Sequence, residues 1–136
     1  MIMKTTIVLL VILALLVCGC STMKNLNASD VRTPSMLRQE GVLGMTIEKA
    51  LACAKATDYV CGPGGGAILV ESPDGKEFSM FIYGIGLTQQ NPYVIVDFRE
   101  ENGIAAYRGY TAMSSWSGSV PILIKRVEVC GECDGL

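Results

Sequence analysis

The apolar and polar positions of this 136-residue chain follow three patterns, and each pattern predicts a different kind of segment. The first is an unbroken apolar run from Ile7 to Val17, preceded by a single charge at Lys4. At about 11 residues, the run is too short for the roughly 20 that cross a bilayer as a helix, and it has the length of a signal-peptide core. It therefore predicts a targeting segment and not a membrane span.

The second pattern has the period of an α-helix and begins at Thr46. Thr46 is a suitable N-cap, and Glu48 lies where the helix dipole favours negative charge. Apolar residues recur three and four positions apart, which places them on one helix face: Ile47, Ala50, Leu51 and Ala54. We expect one amphipathic helix over about residues 47–58.

The third pattern alternates apolar with polar positions, as half-buried strands do, and it follows a glycine-rich turn at 62–66. Asp74-Gly75 and Asn102-Gly103 are typical of tight hairpins, so neighbouring strands should be antiparallel. The predicted fold class is α+β, with one N-terminal helix packed on a small antiparallel β-meander stapled by disulfides. The predicted strands are 67–72, 76–84, 93–99, 104–112 and 120–130.

Two of these strands indicate which face meets the helix. Side chains two positions apart share a face of a strand. The apolar rows are Phe78, Met80 and Ile82 in one strand and Val94, Val96 and Phe98 in another. We expect both rows to pack against the apolar stripe of the helix.

The polar stretch 21–34 has no periodicity and ends at Pro34, which is typical of a linker. The predicted organisation is a signal peptide over 1–19, a lipidated N-terminus with a flexible tether over 20–40, and a single small domain over 41–136. Removing 19 of the 136 residues leaves 117, which is enough for one hydrophobic core.

The end of the apolar run, Val17-Cys18-Gly19-Cys20, resembles the lipobox of bacterial lipoproteins. Small Gly19 precedes Cys20, whereas bulky Val17 precedes Cys18, so Cys20 is the better match. The resemblance implies that Cys20 carries a diacylglyceryl group, with acyl chains such as palmitate, that anchors the chain in a membrane. Ser21 stands where an aspartate would imply inner-membrane retention, so the expected location is the outer membrane, facing the periplasm.

Four cysteines remain after Cys18 is cleaved off and Cys20 is lipidated: Cys53, Cys61, Cys130 and Cys133. An even number of cysteines in an exported domain predicts disulfides, and four cysteines allow three pairings. One option pairs Cys53 with Cys61 and Cys130 with Cys133. The others join the helix region to the C-terminus and close loops of about 70–80 residues, which stabilise a fold more than short loops do.

Composition excludes several classes of function. The chain has no histidine, which excludes nucleophile–histidine catalysis and every zinc site that contains histidine. Without Lys4, ten basic residues face thirteen acidic ones, and no polybasic run occurs, so nucleic-acid binding is not expected. We identify no cofactor and no small-molecule substrate. The acidic residues Asp97, Glu100 and Glu101 are better explained as part of a solvated turn than as a general acid/base pair.

Cys130-Gly131-Glu132-Cys133 is a CxxC pattern, which can carry thiol exchange when it opens a helix. Here the pattern follows a predicted strand, and nearby carboxylates disfavour a thiolate. A four-cysteine zinc site would need Cys53 and Cys61, whose spacing is poor for metal binding. We therefore interpret these cysteines as structural disulfides, with thiol redox or metal binding as a third functional hypothesis.

Trp116, the only tryptophan, lies among small polar residues in the loop 113–119. Two interpretations are open for it. Trp116 either folds back as a lid on the core or serves as an aromatic anchor for a partner, a role in which tryptophan is enriched.

Gly44-Met45-Thr46 before the helix, and the Tyr93–Phe98 strand that turns at Asn102-Gly103, resemble the SmpA/OmlA domain of BamE-like outer-membrane lipoproteins. The resemblance covers about residues 41–112. It lacks that family's usual second helix and its Leu-Gly-x-Pro elbow, and the cysteines outside the lipobox are additional. It implies a small α+β domain that assists outer-membrane assembly or integrity by binding other proteins.

The expected function is that of a lipid-anchored, non-enzymatic protein-interaction module of the cell envelope with an envelope protein as its partner. The alternative is an inhibitor or exclusion lipoprotein that binds a foreign enzyme or receptor. The first hypothesis places the function on surfaces, with an exposed sheet edge and the loop 113–119 as candidates, whereas in the second a loop would plug the foreign target.

Overall fold

The structure, a computed structural model, describes residues 27–61, 67–83 and 92–132, and for residues 58–61 it describes the backbone only. The predicted signal peptide, Cys20, the turn at 62–66, the side chain of Cys61 and Cys133 lie outside this description.

The described residues form five strands and three α-helices, and the strands make one antiparallel sheet in the order β1-β5-β4-β3-β2. The predicted α+β class and the meander from β2 to β5 are confirmed. In chain order the elements are α1 (Ala28–Val31), β1 (Leu37–Val42), α2 (Ile47–Cys61), β2 (Ala67–Glu71), β3 (Glu77–Tyr83), β4 (Pro92–Glu101), β5 (Ile104–Thr111) and α3 (Ser119–Val129).

Both predicted hairpin turns are confirmed. Asn102 and Gly103 join β4 to β5 with positive φ angles of 52° and 82°, the conformation that a two-residue hairpin loop requires. In the β2–β3 turn, the Asp74 carboxylate accepts hydrogen bonds from the Ser72 hydroxyl at 2.7 Å and the Lys76 N–H at 3.0 Å. These two bonds, the Ser72 bond foremost, lower the pKa of Asp74 below its ordinary value.

The predicted helix is confirmed as α2. It begins after Thr46, whose hydroxyl accepts a hydrogen bond from the Lys49 N–H at 3.3 Å, and it continues three residues beyond the predicted end. Ile47, Ala50 and Ala54 are buried against the sheet, as the helical spacing predicted.

We call the side of the sheet that meets the helices the inner face. The predicted apolar rows of β3 and β4 lie on it, and the Phe78 and Phe98 rings stack 4.5 Å apart at its centre. The main core is therefore a layer between the sheet on one side and α2 with α3 on the other.

The predicted strand over 120–130 is wrong, because this segment is the helix α3. Its buried apolar residues are Val120, Leu123, Ile124 and Val127, a spacing of three and four that forms one helix face. Ile122, which strand alternation had paired with Ile124, is exposed. The β-branched composition favoured a strand locally, but the helical stripe buries four side chains on the inner face, and Pro121 is tolerated in a first helical turn.

The predicted tether over 20–40 is too long, because ordered structure begins before residue 41. Leu37–Val42 is β1, which pairs with β5 at the edge of the sheet. We call residues 27–36 the strap, since they cross the side of the sheet opposite the helices and bury Val31 completely. The polar composition of these residues gave no sign of either β1 or the strap. Backbone pairing stabilises β1, and a few side chains stabilise the strap.

Candidate partner-binding surfaces

The outer face of the sheet, opposite the helices, has an apolar half and a charged half. In the apolar half, Val31 of the strap packs against Phe81, Ile95 and Tyr110 from β3, β4 and β5. The strap therefore covers a second, smaller hydrophobic cluster. The charged half is left open.

Arg32 holds the strap in place at the boundary between the two halves. Its guanidinium donates two hydrogen bonds of 2.8 Å to the two carboxylate oxygens of Asp97 in β4. The Ser79 hydroxyl of β3 donates a third bond to Asp97 at 2.6 Å, and the guanidinium lies 5.5 Å from the Phe81 ring centre. Two-point arginine–carboxylate pairing fixes orientation as well as distance, so the strap has one register on the sheet.

The open half forms a recess of about 480 Å³. Its charges are arranged in pairs: Arg99 donates to Glu101 at 2.7 Å, and Arg108 lies 3.5 Å from Glu40. Glu77 and Asp97 complete the acidic side chains that line it. Because opposite charges are interspersed, the recess offers no strong net field to an anion or a cation.

The strand β2 forms one edge of the sheet, and among the described residues β3 is its only pairing partner. Its side chains on the outer face, Ile68 and Val70, are 41% and 51% exposed. No charge or proline interrupts Ala67 to Val70, and Glu71 comes only at the end of the strand. Such an edge offers backbone donors and acceptors beside exposed apolar side chains, which is what an added strand requires.

The opposite edge, β1, is protected. It carries Arg38 and Glu40, and its pairing with β5 is interrupted by an irregularity between Leu37 and Gln39. Charged side chains and bulges are the devices by which sheets discourage further pairing at an edge. Only Val42, 59% exposed, gives this edge an apolar side chain of similar exposure to Val70.

Trp116 lies in a short 3₁₀ turn that leads into α3, and it is half-buried. Its ring stacks on Tyr93 at 5.7 Å between centroids and packs against the main core. This is the contact of a core lid. The exposed apolar side chain of the loop is Met113 and not Trp116.

Cys53 of α2 and Cys130, the residue after α3, form a disulfide that joins the two helices across a sequence separation of 77. The pairing of Cys53 with Cys61 and of Cys130 with Cys133 is therefore excluded. Beside the bond, the buried Thr57 hydroxyl lies within 2.9 Å of the carbonyl oxygens of Cys53 and Arg126. The disulfide consequently places the first sulfur of the CxxC pattern in a crosslink between helices.

Sequence reasoning anticipated an exposed sheet edge, but it did not identify β2 as that edge, and it placed Arg32 in a tether. The composition of β2 was visible in the sequence, whereas its contrast with a charged strand β1 at the opposite edge depends on the strand order. No group of three metal-binding side chains occurs within the described ranges.

The described residues form a small α+β domain with two helices on one sheet face, a strap on the other and, among these residues, one unprotected edge. No family model, curated protein or solved structure matches this chain. Within 27–61, 67–83 and 92–132, no helix has the length and apolar content needed to cross a membrane.

Proposed function

We propose that this chain is a lipid-anchored lipoprotein of the cell envelope, and that its domain is a non-enzymatic protein-interaction module which binds an extended partner segment at the β2 edge. The observation that carries the proposal is the contrast between the two edges of the sheet. The β1 edge carries charged side chains and an irregular register, whereas β2 presents Ile68 and Val70 with neither protection within the described residues.

Strand addition explains this contrast physically. A partner segment that pairs with β2 satisfies the backbone groups of the edge, and its alternate side chains cover Ile68 and Val70. Natural sheets suppress such pairing where it has no use, because an open apolar edge promotes aggregation. Because β1 at the opposite edge is protected and β2 is not, we interpret the β2 edge as a binding site.

The lipid anchor is supported by the lipobox resemblance, which ends at Cys20, seven residues before the strap begins at Asn27. Seven extended residues span at most about 25 Å, so the anchor would hold the domain close to the membrane surface. The resemblance to BamE-like lipoproteins favours the outer membrane and a role in its assembly or integrity.

The anchor is tested by mass spectrometry of the N-terminal peptide of the membrane-extracted protein. We expect a diacylglyceryl adduct on Cys20 that Cys20→Ser abolishes and the neighbouring Cys18→Ser leaves unchanged. An N-terminal peptide without lipid would overturn the anchor.

The binding edge is tested in native membranes by replacing Val70 with the photoreactive residue p-benzoylphenylalanine and identifying the crosslinked proteins. Val42 is the matched control, since it is a valine of similar exposure on the same sheet face at the guarded edge. We expect adducts with another envelope protein from position 70 and not from position 42.

Crosslinked components of the outer-membrane assembly machinery would support the assembly role. Adducts that form only with an incoming foreign protein would favour the inhibitor or exclusion role and overturn assembly. If position 70 forms no adduct with a different protein, partner binding at β2 is wrong.

A further inference from the structure

The sequence of β2 is complementary to itself when two copies run antiparallel. If Leu69 lies opposite Leu69 of a second copy, Ile68 lies opposite Val70 of that copy, and the reverse pair forms by symmetry. Ile68 and Val70 are the two exposed apolar side chains of the strand, and both point to the outer face. This register covers all four of them with cross-strand apolar pairs, the usual stabilising unit of a sheet.

The charges also permit this register. Glu71 falls opposite Ala67 of the second copy, so the two carboxylates do not face each other. Glu71 already has a counter-ion in its own chain, because Lys55 Nζ lies 2.7 Å from its carboxylate. Like charges directly opposite would have opposed the pairing.

The guarded β1 edge limits the assembly to two copies. Pairing through β2 uses the one edge of each sheet that is unprotected in the described ranges, and it leaves β1 at both outer ends. A two-fold pair is closed, whereas a protein with two open edges would add further copies without limit.

The symmetry is compatible with anchoring in one membrane. The two-fold axis that relates two antiparallel edge strands is perpendicular to the sheet, so both outer faces remain on the same side. Both straps, and hence both Asn27 residues, then lie on that side. Two lipid anchors could enter one bilayer without crossing the sheet.

We infer that a second copy of this chain pairs with β2 and that the two sheets form one ten-stranded sheet. A partner segment that binds at β2 must then displace the second copy. The inference rests on the proposed function because it assigns the resting occupant of the same edge.

The test is sedimentation equilibrium of the purified full-length protein in density-matched detergent. We expect the wild-type protein to dimerise. The I68K/V70K variant places like charges opposite each other in the inferred register and should weaken dimerisation at least about tenfold. The I68K/V70E variant places opposite charges there and should return the dissociation constant to within about threefold of wild type.

The V42K variant is the control at the guarded edge and should dimerise like wild type. The I68K/V70E variant carries as many new charges as I68K/V70K, so its recovery separates pairing from damage to the fold. A wild-type protein that sediments as single chains, or failure of I68K/V70E to recover, overturns the inference. A single-chain protein whose position 70 still crosslinks an envelope protein would overturn the dimer while leaving the proposed function standing.

Discussion

At the residue scale, Arg32 organises the outer face of the sheet. Its guanidinium reaches Asp97 with two hydrogen bonds and approaches the Phe81 ring, so one side chain joins the strap to both β3 and β4. Val31 beside it is completely buried. The strap is thus held by a polar and an apolar side chain at adjacent positions, and Ala28 and Met36 pack against the same cluster.

Replacing Arg32 with methionine should loosen the strap with little effect on the main core. We expect Arg32→Met to lower the free energy of unfolding by about 1 kcal/mol, since the pair is well oriented but partly exposed. Amide hydrogen exchange of residues 28–31 should accelerate. Arg108→Met is the control, because the Arg108–Glu40 pair is longer and more exposed, and unchanged strap exchange in Arg32→Met would refute the role of Arg32.

At the element scale, α3 depends on the strand beneath it. An added Cβ at Gly109 of β5 would overlap Val120 Cγ1, so the start of α3 rests on bare backbone. Val120 is completely buried there. The helix therefore docks where a glycine provides room, a feature that neither segment shows by itself.

We expect Gly109→Ala to lower the free energy of unfolding by about 1–3 kcal/mol, because the extra methyl group displaces α3. Val120→Ala in the same chain should recover part of that loss. Urea unfolding of the wild type, the two single variants and the double variant would measure the coupling free energy between positions 109 and 120. Gly44→Ala, where an added Cβ meets nothing within 4 Å, should change stability by less than about 0.5 kcal/mol. If Gly109→Ala and Val120→Ala changed the free energy of unfolding additively, the contact between Gly109 and α3 would be contradicted.

At the scale of the whole molecule, the Cys53–Cys130 disulfide encloses most of the fold. The loop that it closes, over a sequence separation of 77, contains β2 to β5 and α3. The bond therefore restricts the unfolded chain over a long loop, and it ties the end of α3 to α2 within the helical layer.

The C53A/C130A variant should lose up to about 4.5 kcal/mol of unfolding free energy, the chain-entropy figure for a loop of this length. Urea unfolding of the oxidised wild type and the variant gives the difference. Adding reductant should lower the unfolding free energy of the wild type more than that of the variant. Any change in the variant would come from the cysteines that remain in it. Equal stability of the variant and the oxidised wild type would show that the crosslink adds nothing.

The parts of the fold that sequence analysis anticipated are governed by neighbours in the chain. Thr46 with the stripe of α2, and Asn102-Gly103 between β4 and β5, act within a few residues, so their patterns were sufficient. The sequence alone thus determined α2, the four-stranded meander and the apolar rows that meet the helix.

Only the tertiary structure decided the remaining features, because each depends on contacts between distant segments. The segment 119–129 is a helix since four of its side chains find the inner face, and β1 exists since β5 offers it a partner. The pairing of Cys53 with Cys130 needs α3 to end beside α2. The candidate binding edge is β2, the first strand of the predicted meander, but the contrast that singles it out needs the charged strand β1 at the opposite edge, and no local pattern in residues 37–42 contains that pairing.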